Sequence, residues 1–133
     1  KMSKSYNNTI PIFGKDKEIR KKIMNIITDN TPVNQPKDKD TPLFNLYCLF
    51  ADESDKQLLS EKYDLPGLRY GDVKLELFEK IMDYFEPFRK ERDMLQSKPD
   101  YVKDIISLGA KKAKLVALEV LDKVRSTIGL RIS

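Results

Sequence analysis

The sequence predicts an all-α fold, an irregular bundle of about five to six helices preceded by a polar loop. The 133 residues include 35% charged and 40% apolar residues with only five glycines, which is typical of a helix-rich globular domain. Apolar residues recur at spacings of three and four, and no stretch shows the alternation expected of a strand. A chain of this length can bury one core without disulfides or metals, so a single domain is expected.

A first helix is predicted from about Lys15 to Asp29. Residues 30–42, with three prolines and alternating charges, then predict a connection. The first helix is indicated by four isoleucines at helical spacing: Ile19, Ile23, Ile26 and Ile27.

Two shorter helices are predicted next. Thr41 suits an N-cap and Pro42 the first helical position, leading into the apolar residues 43–51. Another helix should begin at Ser54 or Asp55.

A long helix is predicted to follow a loop over residues 64–72, in which Gly67 and Gly71 suit turns. Asp72 would lie in the first turn of this helix, where its charge complements the helix dipole. Pro87 lies inside the helical pattern, so we expect a kink before it, or a break into two helices.

The remaining residues predict one short helix and one last helix. The short one begins near Pro99 and stops at Gly109, a residue type common just after a helix end. The last runs from Ala110 and closes at Gly129.

Charge is distributed unevenly along the chain. Residues 1–22 carry a net +5 and residues 110–133 a net +4, which leaves −5 for the middle of a chain whose total is +4. Two basic ends favour contact with a polyanion, and phosphate groups are the obvious partners. The alternative is that these are ordinary solvated helix faces.

Several classes of function are disfavoured by composition. The chain has no histidine, the commonest general base and zinc ligand, and no cluster of metal-ligating residues. Its single cysteine, Cys48, lies in an apolar run and is expected to be a buried thiol. No apolar run is long enough to span a membrane and no signal peptide is visible, so we expect a soluble, cytoplasmic protein.

The first nine residues are the candidate for chemistry. Lysine and serine side chains alternate there, and residues 7–9 are loop-favouring Asn, Asn and Thr. Such a loop could wrap a triphosphate and stabilise charge moving onto a leaving pyrophosphate. The alternative is a solvated tail.

The motif KMSKS at residues 1–5 resembles the second signature of class I aminoacyl-tRNA synthetases, and its continuation is similar to the tryptophanyl-tRNA synthetases. The later matches occur in order through nearly the whole chain: YNN after the signature, DKEIRKKI at 16–23, Thr28-Asp29, Tyr70-Gly71-Asp72, FRKERDML at 88–95, Gly-Ala-Lys-Lys-Ala-Lys at 109–114 and Ile-Gly-Leu at 128–130.

The resemblance implies that the signature loop contacts ATP, which is the substrate with Mg²⁺. Lys1 and Lys4 would be the catalytic residues, stabilising the transition state in which the carboxylate of the amino acid attacks the α-phosphorus. Met2, Ser3 and Ser5 would complete the loop that binds the ATP phosphates.

The resemblance also implies the domain organisation. Residues 1–14 would be the KMSKS loop and linker, and residues 15–133 a C-terminal helical domain of the anticodon-binding type, with tRNA-Trp as partner. Candidate contacts to RNA phosphates, which the basic ends of the chain suggest, are Arg20, Lys21, Lys22, Lys111, Lys112 and Lys114.

The catalytic Rossmann domain of such an enzyme is absent from this chain, which has no histidine for the first signature. We therefore expect a C-terminal fragment that is inactive and binds no ATP by itself, with a loop that is disordered or held only by its neighbours. The resemblance implies a homodimeric parent whose interface lies mostly in the catalytic domain, so the fragment itself is compatible with a monomer.

Two alternatives remain open from the sequence. One is a free-standing helical RNA-binding or interaction module that retains the signature. The other is the tyrosine-specific sister synthetase, since amino acid specificity resides in the missing domain.

Overall fold

The computed structural model describes residues 2–3 and 5–130. Within them it contains five helices and no strand, which confirms the all-α prediction. The helices are α1 (Asp16–Met24), α2 (Pro42–Phe50), α3 (Glu53–Asp64), α4 (Tyr70–Gln96) and α5 (Pro99–Thr127).

The chain divides into two compact units between residues 89 and 90, and α4 continues across the division. Unit 1 is residues 1–89 and unit 2 is residues 90–133. Among the described residues, no helix combines the length and the apolarity needed to cross a bilayer.

The core of unit 1 is built from α1 to α4. Each helix contributes residues four positions apart, which lie on one face of a helix. The buried residues are Ile19, Ile23, Leu43, Tyr47, Leu59, Tyr63, Val73, Leu77 and Ile81.

The predicted N-terminal ends of α2 and α3 are accurate to within two residues. The hydroxyl of Thr41 accepts a hydrogen bond from the N–H of Phe44 at 3.3 Å, and Pro42 is the first residue of α2. The carboxylate of Asp52 accepts from the N–H of Asp55 at 2.8 Å, so α3 begins one or two residues before the predicted start.

The first helix ends earlier than predicted. Helix α1 stops at Met24, and the ammonium of Lys74 donates to the carbonyl oxygens of Met24 at 3.1 Å and Ile26 at 2.7 Å, which stabilises the chain where it leaves the helix. Ile26 still packs against the core although it lies outside the helix. The apolar spacing therefore continued past the end of α1, which made the predicted helix too long.

Helix α4 is continuous through Pro87, so of the two outcomes expected there, a kink or a break, the break does not occur. Gly71, predicted to be a turn, is its second residue. Aromatic side chains pack around the turn that contains Pro87, and the contact of Phe85 with Phe50 of α2 is a tertiary one that stabilises this turn. Phe85 lies 5.8 Å from Phe50 and 6.1 Å from Phe88 between ring centroids.

The predicted stop at Gly109 is also wrong, because α5 passes through it. The left-handed backbone that ends a helix occurs instead at Gly129, with φ +73°, where the N–H of Leu130 donates to the carbonyl of Arg125 at 2.9 Å. The closing glycine was therefore predicted correctly, and the described residues form five helices.

Candidate functional site

The described part of the signature loop is held by its own side chains and by α1. The amide oxygen of Asn8 accepts a hydrogen bond from the N–H of Ser3 at 2.7 Å, and the hydroxyl of Ser3 accepts from the N–H of Ser5 at 3.1 Å. The ammonium of Lys22 donates to both the backbone carbonyl and the side-chain oxygen of Asn7, the former at 3.0 Å. These contacts link Ser3, Ser5, Asn7 and Asn8 to one another or to α1.

Of the five signature residues, Lys1 and Lys4 lie outside the described residues. Met2 is half exposed, with 47% of its surface accessible, and Ser5 is exposed. The polar atoms of Ser3 point into the loop. The N–H and hydroxyl of Ser3 and the N–H of Ser5 are therefore bonded within the loop.

The linker after the signature is bound by α4. The guanidinium of Arg89 donates from Nη1 to the carbonyls of Ile12 at 2.8 Å and Gly14 at 3.0 Å, and from Nη2 to the carboxylate of Asp16 at 2.6 Å. Sequence reasoning missed this contact. No local pattern marks it, because the partners are more than 70 residues apart in the chain.

The basic candidates fall into one group in each unit. Arg20 and Lys21 lie between the buried Ile19 and Ile23 in sequence, but their side chains are exposed on another face of α1. The ammonium of Lys22 instead donates to Asn7. The candidates of unit 2 are all exposed on α5: Lys111, Lys112 and Lys114.

Sequence reasoning also missed the burial of Lys37 and its polar contacts. Lys37 is 6% exposed although it lies in the proline-rich connection. Its ammonium donates to the carbonyls of Thr31 and Pro32, the latter at 2.7 Å, and lies 5.0 Å from the ring centroid of Tyr70. Its backbone N–H donates to the carbonyl of Tyr63 at 2.7 Å.

No group of three or more metal-ligating residues occurs in the part of the chain that the structure describes. Cys48 is a free, half-buried thiol on α2.

Comparison with known proteins finds relatives along nearly the whole chain. No protein-family model matches the chain. The tryptophan–tRNA ligase of Rhodopirellula baltica is 48% identical over 132 residues, which cover 98% of this chain and 41% of the relative. The corresponding ligase of Fusobacterium nucleatum is 39% identical over 130 residues, covering 98% of this chain and 40% of the relative.

Comparison with solved structures gives the same result. The crystal structure of tryptophanyl-tRNA synthetase from Campylobacter jejuni, complexed with ADP and tryptophan, matches with a TM-score of 0.90 at 40% identity, over 98% of this chain and 41% of that one. This chain is a homologue of the tryptophanyl-tRNA synthetases. It spans about two-fifths of the length of the relatives it matches.

Hydrogen bonds and burial shift several pKa values of this tryptophanyl-tRNA synthetase homologue. Hydrogen bonds from the hydroxyl and N–H of Thr31 and from the hydroxyl of Tyr70 lower the pKa of Asp29. Burial, together with Asp29, raises the pKa of Tyr70. Burial lowers the pKa of Lys74, whose ammonium binds the carbonyls after α1.

Proposed function

We propose that this chain is the C-terminal part of a tryptophan–tRNA ligase, which activates L-tryptophan with ATP and transfers it to tRNA-Trp. One observation carries the proposal. An intact KMSKS signature leads directly into a helical fold that matches, over nearly its whole length, a synthetase solved with ADP and tryptophan. Residues 1–14 are the signature loop and linker, and residues 15–133 are a helical domain of the anticodon-binding type.

The signature loop acts by charge and position. Lys1 and Lys4 contact the phosphates of ATP, which carries Mg²⁺, and neutralise the charge that develops as tryptophan attacks the α-phosphorus and pyrophosphate leaves. Neither lysine transfers a proton. The hydrogen bonds of Ser3 and Ser5, which flank Lys4 in sequence, support this role.

The helical part binds tRNA through phosphate contacts. Five exposed lysine and arginine side chains on α1 and α5 are suited to this role, because they have no ion pair among the described residues, unlike Lys103 and Lys123 of α5. The side chains proposed to contact RNA are Arg20, Lys21, Lys111, Lys112 and Lys114.

The catalytic role is tested by tryptophan-dependent pyrophosphate exchange in the full-length protein. Lys4→Ala should lower kcat on the order of 100-fold, because this substitution removes a preorganised charge that faces the transition state. Lys15→Ala removes an exposed lysine at the N-cap of α1 and serves as the matched control. Equal activity of the Lys4→Ala variant and the wild type would refute the proposed role of the loop.

The RNA role is tested by the salt dependence of tRNA binding. The triple variant Lys111→Ala, Lys112→Ala and Lys114→Ala should bind tRNA-Trp more weakly, with a shallower dependence of affinity on salt, by about one counterion for each lysine–phosphate pair removed. Pyrophosphate exchange, which needs no tRNA, should be unchanged. Lys98→Ala, an exposed lysine just before α5, is the control. An unchanged salt slope would refute α5 as an RNA surface.

The same proposal places L-tryptophan binding and the homodimer interface in the remaining three-fifths of the full-length protein. Calorimetric titration of the 133-residue chain with ATP and Mg²⁺ should therefore show no specific binding, whereas the full-length protein should bind. A micromolar site on the 133-residue chain would contradict this division.

A further inference from the structure

We propose that Arg89 and Lys22 are positioning residues for the signature loop. They hold the two ends of residues 7–16, the segment that joins the signature to α1, and so set where the signature lysines meet ATP. The proposal rests on the ATP-binding role of the loop proposed above. Both residues and all of their bonded partners belong to unit 1.

Arg89 holds the end of this segment next to α1. Its guanidinium reaches three acceptors at 2.6–3.0 Å: the carbonyls of Ile12 and Gly14 and the carboxylate of Asp16. The side chain is only 23% exposed. A guanidinium is a planar fork with fixed donor directions, so three simultaneous acceptors define both the position and the orientation of the bound backbone.

The bound backbone is itself a tight turn. The N–H of Gly14 donates to the carbonyl of Pro11 at 2.9 Å, which closes the turn. A Cβ at Gly14 would lie 2.9 Å from Cγ and 3.1 Å from the carbonyl oxygen of Pro11, so only glycine fits without a shift. Arg89 therefore binds a rigid piece of chain.

Lys22 holds the end next to the signature. Its ammonium binds the backbone carbonyl and the side-chain oxygen of Asn7. Asn7 has a φ of +53°, a left-handed conformation that residues other than glycine adopt at a cost, asparagine among the least. The side-chain oxygen of the next residue, Asn8, accepts a hydrogen bond from the N–H of Ser3. The segment held by Lys22 is therefore bonded directly to a residue of the KMSKS motif.

These contacts give the two cations a geometric role. Each is bonded to backbone carbonyls of the segment, and a cation so engaged supports the loop and does not act as a free phosphate ligand. Displacing a catalytic group by about 1 Å can cost on the order of 100-fold in rate, so a loop held at both ends has a direct effect on activation.

The test uses the full-length synthetase and separates activation from transfer. Arg89→Ala should lower kcat for tryptophan-dependent pyrophosphate exchange by about 10- to 100-fold with the KM for tryptophan unchanged. Transfer of tryptophan from supplied tryptophanyl-adenylate to tRNA should stay within about twofold of wild type, because it does not involve the ATP phosphates. Added guanidinium ion should partly restore exchange to Arg89→Ala and not to Arg89→Lys, in which the site is filled.

Lys22→Ala should show the same split between exchange and transfer. The matched controls are Arg69→Ala and Lys17→Ala, exposed residues of the same unit that should leave both steps unchanged. Wild-type exchange in Arg89→Ala, or a parallel loss of exchange and transfer, would overturn the positioning role. A wild-type protein without tryptophan-dependent exchange would instead refute the proposed function, so the two failures are distinguishable.

Discussion

The hydroxyl of Tyr70 lies 2.9 Å from each carboxylate oxygen of Asp29, although 41 residues separate them in sequence. The contact ties the first residue of α4 to the segment that follows α1. Asp29 also accepts from the N–H of Thr31 at 2.9 Å, so the carboxylate organises the start of the proline-rich connection.

Acid should weaken this contact. The folded-state pKa of Asp29 is lowered, so its contribution to the free energy of unfolding is present above about pH 4 and is lost as pH falls through the folded-state value. Asp29→Asn should lower Tm at pH 7, and the difference from wild type should shrink below about pH 4. Asp83→Asn, an exposed aspartate on α4, is the control. A difference in Tm that is independent of pH would contradict this account.

Alkali should unfold unit 1 through two buried tyrosines, Tyr47 and Tyr63, and the partly buried Tyr70. Burial is the largest cause of the raised pKa values of Tyr47, Tyr63 and Tyr70, and the pKa of Tyr63 reaches about 12. Raised values mean that stability is full below about pH 10 and declines as pH rises through the folded-state values.

The measurement is ultraviolet absorbance of tyrosine followed together with helical circular dichroism. Tyr47, Tyr63 and Tyr70 should titrate late, in step with loss of helix. A single transition near about pH 10 with intact helices would show that the three tyrosines are not buried as described.

Removing the buried ammonium of Lys37 should be costly. Lys37→Ala leaves the carbonyls of Thr31 and Pro32 without their donor, and hydrogen bonds from a charged group contribute about 1.5–3 kcal/mol each. We expect a loss of about 2–4 kcal/mol in urea denaturation. The control is Lys39→Ala in the same connection, which breaks a surface ion pair with Asp64 and should cost less than about 1 kcal/mol. Equal costs would contradict the burial of Lys37.

The glycine inside α5 and the glycine at its end should respond in opposite directions to alanine. Gly109 lies inside the helix and an added Cβ would meet nothing within 4 Å, so Gly109→Ala should stabilise α5 by about 0.5–1 kcal/mol. Gly129→Ala should destabilise the end of the helix, because φ there is +73°. Amide hydrogen exchange along α5 measures both. Loss of protection in Gly109→Ala would indicate that the helix ends there after all.

Helix boundaries with strong local chemistry were predictable from sequence. Thr41 and Pro42 supply a cap and a preset backbone angle, and Gly129 supplies a left-handed residue, so each boundary is encoded in one or two residues. Gly109 misled the prediction because a glycine ends a helix only when its backbone becomes left-handed, and residue type alone does not determine that.

The candidate site was predictable only where it is a contiguous motif. KMSKS is visible as five consecutive residues, whereas the contacts of Arg89 with Ile12 and Gly14 arise from helix packing across most of unit 1. Lys37 shows the same limit: a lysine in a polar, proline-rich stretch is expected to be solvated, and only the fold places backbone carbonyls around its ammonium.

The most direct measurement of the central claim is pyrophosphate exchange by the full-length protein with tryptophan and tyrosine supplied in turn. We predict exchange that depends on tryptophan and is at least about 100-fold weaker with tyrosine, because the two side chains differ in shape and in their polar groups. Exchange that depends on tyrosine, or none with either amino acid, would contradict the assignment of this chain to a tryptophan–tRNA ligase.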